Sequence, residues 1–240
     1  MADLIVSLLP LALGIVMSPL AIMALVAVLL SRRARANGIA FLTGWVSAVA
    51  LAVGGSFWVL GLLDLHDVGT PPVWVALVRL LLGLLLLAGA GWVYRKGTRH
   101  ARRMAAAETP AQVTAAAPQL PGWLRSVETF TPARSFALGL GIFLLNPIDL
   151  SCAVLAALDT RLAALAPTTD AVVLIAFGVA SVLPIVLPVV LVLVRREAAA
   201  PVLARVRTWI ASHTSVLNAA LVLVIAVLQL QKAVSALLSS

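Results

Sequence analysis

The stretch Gly141–Cys152, "GIFLLNPIDLSC", places an amide, a proline and a carboxylate inside an apolar run. The surrounding run, Ser135–Leu158, has the length of a membrane-spanning helix, roughly 20 residues. Pro147 removes a backbone N–H and clashes with the preceding turn. Asp149 in hydrocarbon costs at least ~2.5 kcal/mol on insertion scales. We therefore predict a broken membrane helix whose carboxylate faces the bundle interior or water.

The rest of the chain has the same apolar character. Of its 240 residues, 62% are hydrophobic and only 11% charged, and the mean hydropathy is +1.12. Soluble domains are roughly half apolar and a quarter charged. We predict an all-α membrane protein with six transmembrane helices: Leu4–Leu30, Ile39–Leu63, Val73–Tyr94, Ser135–Leu158, Ala171–Val194 and Ser215–Leu237.

The distribution of charge predicts the orientation. Most of the 17 Lys and Arg residues lie in the first, third and fifth connecting segments. Positive loops favour the cytoplasm, so we expect both termini of a multi-pass protein of the bacterial cytoplasmic membrane to be extracytoplasmic. We expect the first span to be retained rather than cleaved as a signal peptide, because an acid, Asp3, precedes it and its arginines follow it. Nucleic-acid binding is not indicated, since the basic residues lie between apolar runs.

Three parts of the chain are predicted. Residues 1–94 and 134–240 would each form three spans, and residues 95–133 would form a basic cytoplasmic linker. The linker ends in "PGWLRSVETFTPARSF", where Trp123, Leu124, Val127 and Phe130 recur at helical spacing. This spacing predicts a short interfacial helix; a plain linker is the alternative.

A weak internal repeat relates the two halves. "LGIVMSPLAI" in the first span parallels "LGIFLLNPID" in the fourth, so that Ser18-Pro19 matches Asn146-Pro147. With three spans per half, the second half enters the membrane from the other side. Interrupted helices in inverted repeats form sites near the midplane, and Ser18 and Asn146 would help to satisfy the freed backbone. Two tolerated kinks are the structural alternative.

Asp149 is the only acid well inside any predicted span. Asn146, Asp149 and Cys152 are three residues apart and line one helix face. Arg79 lies at a compatible depth, so it is a possible ion-pair partner of Asp149; snorkelling to the outer interface is its alternative. A purely structural ion pair is the alternative role for Asp149. The predicted translocation site comprises Ser18, Pro19, Asn146, Pro147, Asp149 and Arg79.

Other motifs are weaker. Pro184 and Pro188, one turn apart, predict either a hinge or a static kink. Arg32, Arg33, Arg35 and Asn37 would bind an anionic headgroup, although orienting the chain also explains the arginines. Thr43 and Ser47 flank Gly44 and favour helix packing. The sequence shows one cysteine, three scattered histidines and no nucleotide or nucleophile motif, so we expect no metal, no cofactor and no enzyme.

Several stretches resemble one family. "LLPLALGIVMSPLAIMALVAVLLSRRARANGIAFLTGW", "PGWLRSVETFTPARSFALGLGIFLLNPIDL", the two prolines of span five and the "RVRTWIASHTSVLNAALVLVIAVLQL" ending are similar to peptidoglycolipid-addressing (GAP-like, sulfolipid-addressing) proteins. These are small actinobacterial membrane proteins of the LysE transporter superfamily. The combination of a Ser-Pro dipeptide in the first span with the Arg-Ala-Asn-Gly block at Arg35–Gly38 is fairly specific to this family. The resemblance covers most of the chain outside the linker and outer loops.

The resemblance implies two inverted three-helix repeats and export or flipping of cell-envelope glycolipids. A larger lipid transporter is a possible partner, and a homo-oligomer is another. Where this family usually reads Asn-Pro-Lys-Asn-Leu, the chain has Asn146-Pro147-Ile148-Asp149-Leu150. The missing Lys and the added acid imply a different ligand or proton coupling. The alternatives are a LysE-type exporter of an amino acid or other small solute and a non-transporting accessory subunit.

Overall fold

A computed structural model describes residues 1–63, 72–105, 130–195 and 199–238. These ranges are helical and contain no strand, which confirms the predicted all-α class. The predicted interfacial helix and most of the linker lie outside them. In chain order the described helices are α1 (Ala2–Val16), α2 (Pro19–Leu29), α3 (Ala34–Gly61), α4 (Val73–Ala105), α5 (Pro132–Leu145), α6 (Pro147–Leu162), α7 (Pro167–Arg195) and α8 (Ala199–Leu238).

Two of the predicted spans are each built from two helices. The chain bends by 43° between α1 and α2 and by 69° between α5 and α6. Four unbroken helices are long and apolar enough to cross a membrane, and the described residues hold six spans if each bent pair counts as one. Both bends are well short of a reversal, so each pair continues in its original general direction.

The proline dipeptides explain where these breaks fall. Pro19 and Pro147 each occupy the first turn of a new helix, where the missing N–H is not needed. The residue before a proline is pushed towards extended backbone. Ser18 and Asn146 accordingly have ψ values of 101° and 110°. The predicted interruptions of the first and fourth spans are therefore present in the structure.

Some helices extend beyond the predicted apolar spans. Helix α4 continues to Ala105 rather than stopping at Tyr94, and α8 starts at Ala199 rather than Ser215. Apolar composition marks the part of a helix that can lie in lipid, but Ala and Arg also favour helix beyond it. Helix α7 runs without a break through Pro184 and Pro188, so the structure contains no interruption there.

The core forms around α3, which packs against α5, α6 and α7, while α4 packs along α8. The Trp45 ring meets the edge of Phe143 at 5.1 Å between centroids. A Cβ atom on Gly44 would collide with the Phe136 carbonyl, and one on Gly139 with the Phe41 carbonyl. These glycines thus let the backbones of α3 and α5 touch, as small residues usually do between membrane helices.

The outer surface is largely apolar. Many large hydrophobic side chains are exposed along the long helices, as a lipid-facing belt requires. They include Leu51, Leu81, Val172, Ile175, Leu187 and Val224. This belt and the candidate spans support the predicted multi-pass membrane protein.

The bundle has two chemically different ends. At the first, which we call the basic end, the Arg35 guanidinium donates to the Leu193 carbonyl at 3.0 Å, joining the start of α3 to the end of α7. At the second, the far end, Arg161 Nε donates to the Phe57 carbonyl at 3.1 Å, joining the ends of α6 and α3. Exposed basic side chains gather at the basic end: Arg32, Arg33, Arg35, Arg95, Lys96, Arg99, Arg134 and Arg195.

Candidate functional site

The two helix breaks meet inside the bundle. Ser18 Oγ donates to Asp149 Oδ2 at 3.1 Å, although these residues are 131 positions apart in the chain. Asn146 Nδ2 also donates to Ser18 Oγ at 3.3 Å. The structure therefore brings Ser18, Pro19, Asn146, Pro147 and Asp149 together, and we call this group the break site.

Asn146 connects the parts of the break site. Its Oδ1 accepts a hydrogen bond from the Ile148 backbone N–H at 3.1 Å, which caps the start of α6. Its Nδ2 donates to Asp149 Oδ2 at 2.7 Å. Ser18 differs, because its hydroxyl makes no cap on α2 and instead binds the carboxylate across the bundle. One amide and one hydroxyl thus fix the position of Asp149.

Asp149 is completely buried. Both of its described donors bind Oδ2, while Oδ1 has no hydrogen-bond partner in the described part of the chain. The salt bridges of that part do not include Asp149. A buried charge is expensive unless it is paired. The N-termini of α2 and α6 lie beside it, and their partial positive charges favour an anion.

The predicted pairing of Arg79 with Asp149 is wrong. Arg79 Nη2 donates instead to Asp159 Oδ1 at 2.6 Å, and Arg79 Nη1 donates to Gln229 Oε1 at 2.9 Å. The prediction failed because it ended the fourth span at Leu158, whereas α6 continues to Leu162 and buries Asp159. Ten residues of helix, about 15 Å, separate Asp159 from Asp149. Arg79 therefore does not belong to the break site.

Three residues of this second cluster were missed from the sequence: Asp159, Gln229 and Lys232. Lys232 Nζ donates to Asp159 Oδ2 at 3.0 Å, so the carboxylate is held between two cations. Gln229 and Lys232 are three residues apart in the last span, and such a pair shares a helix face. The signal available in the sequence was this pair of polar side chains on one face of an otherwise apolar helix, which indicates a polar cluster.

The predicted headgroup-binding residues separate in the structure. Arg32 and Arg33 are exposed, as is Arg35, although the Arg35 guanidinium caps α7 as described above. Asn37 is buried, and its amide donates inward to Ser31 Oγ at 3.0 Å and to the Phe130 carbonyl at 2.9 Å. Asn37 therefore joins the starts of α3 and α5 and does not contribute to the exposed basic surface.

The chemistry of the break site is that of its three polar side chains, Ser18, Asn146 and Asp149. Among the described residues, no three His, Cys, Asp or Glu side chains gather into a metal site. Cys152, one turn beyond Asp149, is fully buried. What the break site offers is a titratable carboxylate, a hydroxyl and an amide, placed where two helices are interrupted.

A comparison with known protein families covers nearly the whole chain. A family model described as "Sap, sulfolipid-1-addressing protein" matches residues 8–235. The match includes both breaks, the Arg79–Asp159 pair and most of α8. No curated protein and no solved structure matches the chain.

Proposed function

We propose, from the premise that this chain belongs to the sulfolipid-1-addressing protein family, that it moves an envelope lipid across the bacterial cytoplasmic membrane through the break site. The predicted resemblance to a lipid-addressing family is confirmed by the match over residues 8–235. A membrane protein in lipid export or addressing fits both that family and the apolar helices. The route, its energy source and the residues involved are the proposal.

The observation that carries the proposal is the meeting of two interrupted helices on one buried carboxylate. Interrupted helices that meet near mid-membrane form the sites of many secondary transporters, where exposed backbone and helix ends bind the cargo. Ser18 and Asn146 come from different halves of the chain and both donate to Asp149 Oδ2. Irregular backbone inside a membrane is tolerated where protein or a water-filled cavity covers it.

An inverted repeat of the LysE type is part of this proposal. The order of a bent helix pair followed by two long helices occurs twice, as α1–α4 and as α5–α8. A twofold relation of the halves would exchange α4 with α8 and α2 with α6. The packing of α2 on α8 and of α4 on α6 is the matched pair of contacts that this relation requires.

The exposed arginines suggest how an anionic lipid would first be gathered. Arg32, Arg33 and Arg35 lie at the basic end, which positive-inside distribution assigns to the cytoplasm. Clusters of this kind attract anionic headgroups. The headgroup would leave this surface, pass the break site and emerge at the far end, with both termini extracytoplasmic.

Asp149 would couple this movement to protons. While ionised, its carboxylate occupies the position to which the N-termini of α2 and α6 point. Protonation would remove that resident negative charge and leave the helix ends available to an anionic headgroup. Release of the proton would then disfavour the bound headgroup. Asp149 Oδ1, which has no partner in the described part of the chain, is where the proton would bind.

The test is the lipid that copurifies with the full chain, identified by mass spectrometry from a host that makes acidic glycolipids. We expect Asp149→Asn, which removes the resident negative charge as protonation would, to raise the amount of retained glycolipid, and Asn146→Ala to lower it at least about fivefold, as a loss of roughly 1 kcal/mol or more of hydrogen bonding predicts. Asp3→Asn, which neutralises an exposed acid in the first turn of α1, is the matched control. Unchanged lipid in both site variants would reject the break site.

A further inference from the structure

A groove opens at the far end of the bundle, between α4, α6 and α8. Its volume is about 450 Å³. Cationic, polar and apolar side chains line it: Val75, Arg79, Leu162, Leu228, Gln231, Lys232, Ser235 and Ala236. The groove thus combines a charged part and an apolar part, which is the composition that an amphiphilic ligand requires.

The charged part has an excess of positive charge. Arg79 and Lys232 share a single described acid, Asp159. An arginine has five N–H donors and a lysine has three. The hydrogen bonds described above use two of the donors of Arg79 and one of the donors of Lys232. The Lys232 side chain is 39% exposed, so its ammonium can reach a ligand in the groove. Both cations are therefore suited to bind an anion while they hold Asp159.

The depth of this cluster matches that of a lipid headgroup. Asp159 lies ten residues after Asp149 on α6, which is about 15 Å along the helix axis. Half of the hydrocarbon thickness of a bilayer is also about 15 Å. With Asp149 near the midplane, as the proposed function has it, Arg79 and Lys232 lie at the boundary between acyl chains and headgroups.

Apolar surface continues from the groove towards the middle of the membrane. Leu228 lies one turn before Lys232 and lines the groove itself. Val224, one turn before Leu228 on the same face of α8, is exposed farther along in the same direction. An acyl chain attached to a headgroup at Lys232 would lie along these side chains.

We propose that this groove binds an anionic lipid through a sulfate or phosphate ester in its headgroup, held by Lys232 and Arg79, with acyl chains lying along α8. The site is separate from the break site and lies at the opposite end from the exposed arginines. The proposal depends on the proposed function for the depth of Asp149 and for lipid as the ligand. It adds a lipid site on the side at which an exported lipid would arrive.

Native mass spectrometry of the purified full chain would test this site with three probes of matched acyl chains. These are phosphatidylglycerol, a sulfatide and zwitterionic phosphatidylcholine. We expect both anionic lipids to be retained over phosphatidylcholine, and Lys232→Gln to reduce that preference about tenfold, the effect of one charge-assisted hydrogen bond. Lys232→Arg should keep most of it. Lys96→Gln, which removes the chain's other lysine at the basic end, should leave it unchanged.

The proposal would be overturned by equal retention of all three lipids, or by equal losses in Lys232→Gln and Lys96→Gln. A Lys232-dependent binding of sodium sulfate without any preference for anionic lipids would also overturn it, since the ligand would then be a free anion. Failure of the proposed function is distinguishable. If Asp149→Asn leaves lipid transport unchanged while Lys232→Gln still loses anionic lipid, the break site is rejected and the groove remains.

Discussion

The Arg79–Asp159 pair offers a quantitative test of the packing at the far end. The two side chains are 8% and 3% exposed, and their nearest atoms are 2.6 Å apart. Two unit charges about 4 Å apart interact by about 4 kcal/mol at the effective dielectric constant of such a site. Removing one partner of a buried pair typically costs about 3–5 kcal/mol, because the other charge stays buried without compensation.

The presence of Lys232 makes the two single substitutions unequal. In Arg79→Gln, Asp159 keeps the Lys232 ammonium at 3.0 Å, so we expect a loss of unfolding free energy near the lower limit, about 3 kcal/mol. In Asp159→Asn, Arg79 and Lys232 lose their shared acid, and the expected loss is about 4 kcal/mol. The double variant should lose about 2 kcal/mol less than the sum, since neither charge of the pair then remains without its partner.

Unfolding by sodium dodecyl sulfate in mixed micelles, followed by circular dichroism, measures these free energies. The matched control is Arg79→Gln combined with Asp149→Asn. Those residues do not pair, so their losses should add to within about 0.5 kcal/mol. Additive losses for Arg79 and Asp159, with coupling between Arg79 and Asp149 instead, would show that the assignment of the ion pair is incorrect.

Three further predictions concern packing, capping and burial. Gly44→Leu should destabilise the protein by about 1–3 kcal/mol through overpacking, whereas Gly54→Leu, where an added Cβ meets nothing within 4 Å, should change little; equal effects in the same unfolding assay would contradict the close approach of α3 and α5. Asn146→Ala should cost about 1 kcal/mol through the lost cap of α6, and an unchanged unfolding curve would argue against that cap. Cys152, the only cysteine, is completely buried, so a maleimide should label it only on unfolding; rapid labelling of the folded protein would place it elsewhere.

The sequence was sufficient to locate the helix breaks, because their causes are local. A proline removes a hydrogen bond wherever it stands, and the preceding Ser18 and Asn146 are residues that start helices well. The contact between the breaks is a different kind of property. The weak repeat suggested it, but the hydrogen bond from Ser18 to Asp149 depends on how the two halves pack.

The far-end cluster shows where sequence reasoning stopped. Asp159 lies one residue beyond the predicted end of span four, Leu158, so the predicted spans leave it outside the apolar helix. The predicted end at Leu158 falls four residues before the end of α6 at Leu162, an error of the usual size for boundaries read from sequence, and here it changed the partner assigned to Arg79. Asn37 was misplaced for a similar reason: its position beside three arginines suggested an exposed surface, whereas its place in the first turn of α3 directs its amide inward.

The central claim is that Asp149, at the paired helix breaks, couples lipid movement to protons. Liposomes containing only the purified chain and a fluorescent sulfated glycolipid would measure the rate at which that lipid changes leaflet, with and without a pH gradient. We predict that the chain accelerates this movement, that the gradient increases the rate, and that Asp149→Asn abolishes the increase while Asp3→Asn does not. An Asp149→Asn variant that moves lipid and responds to the gradient like the unaltered chain would contradict the claim.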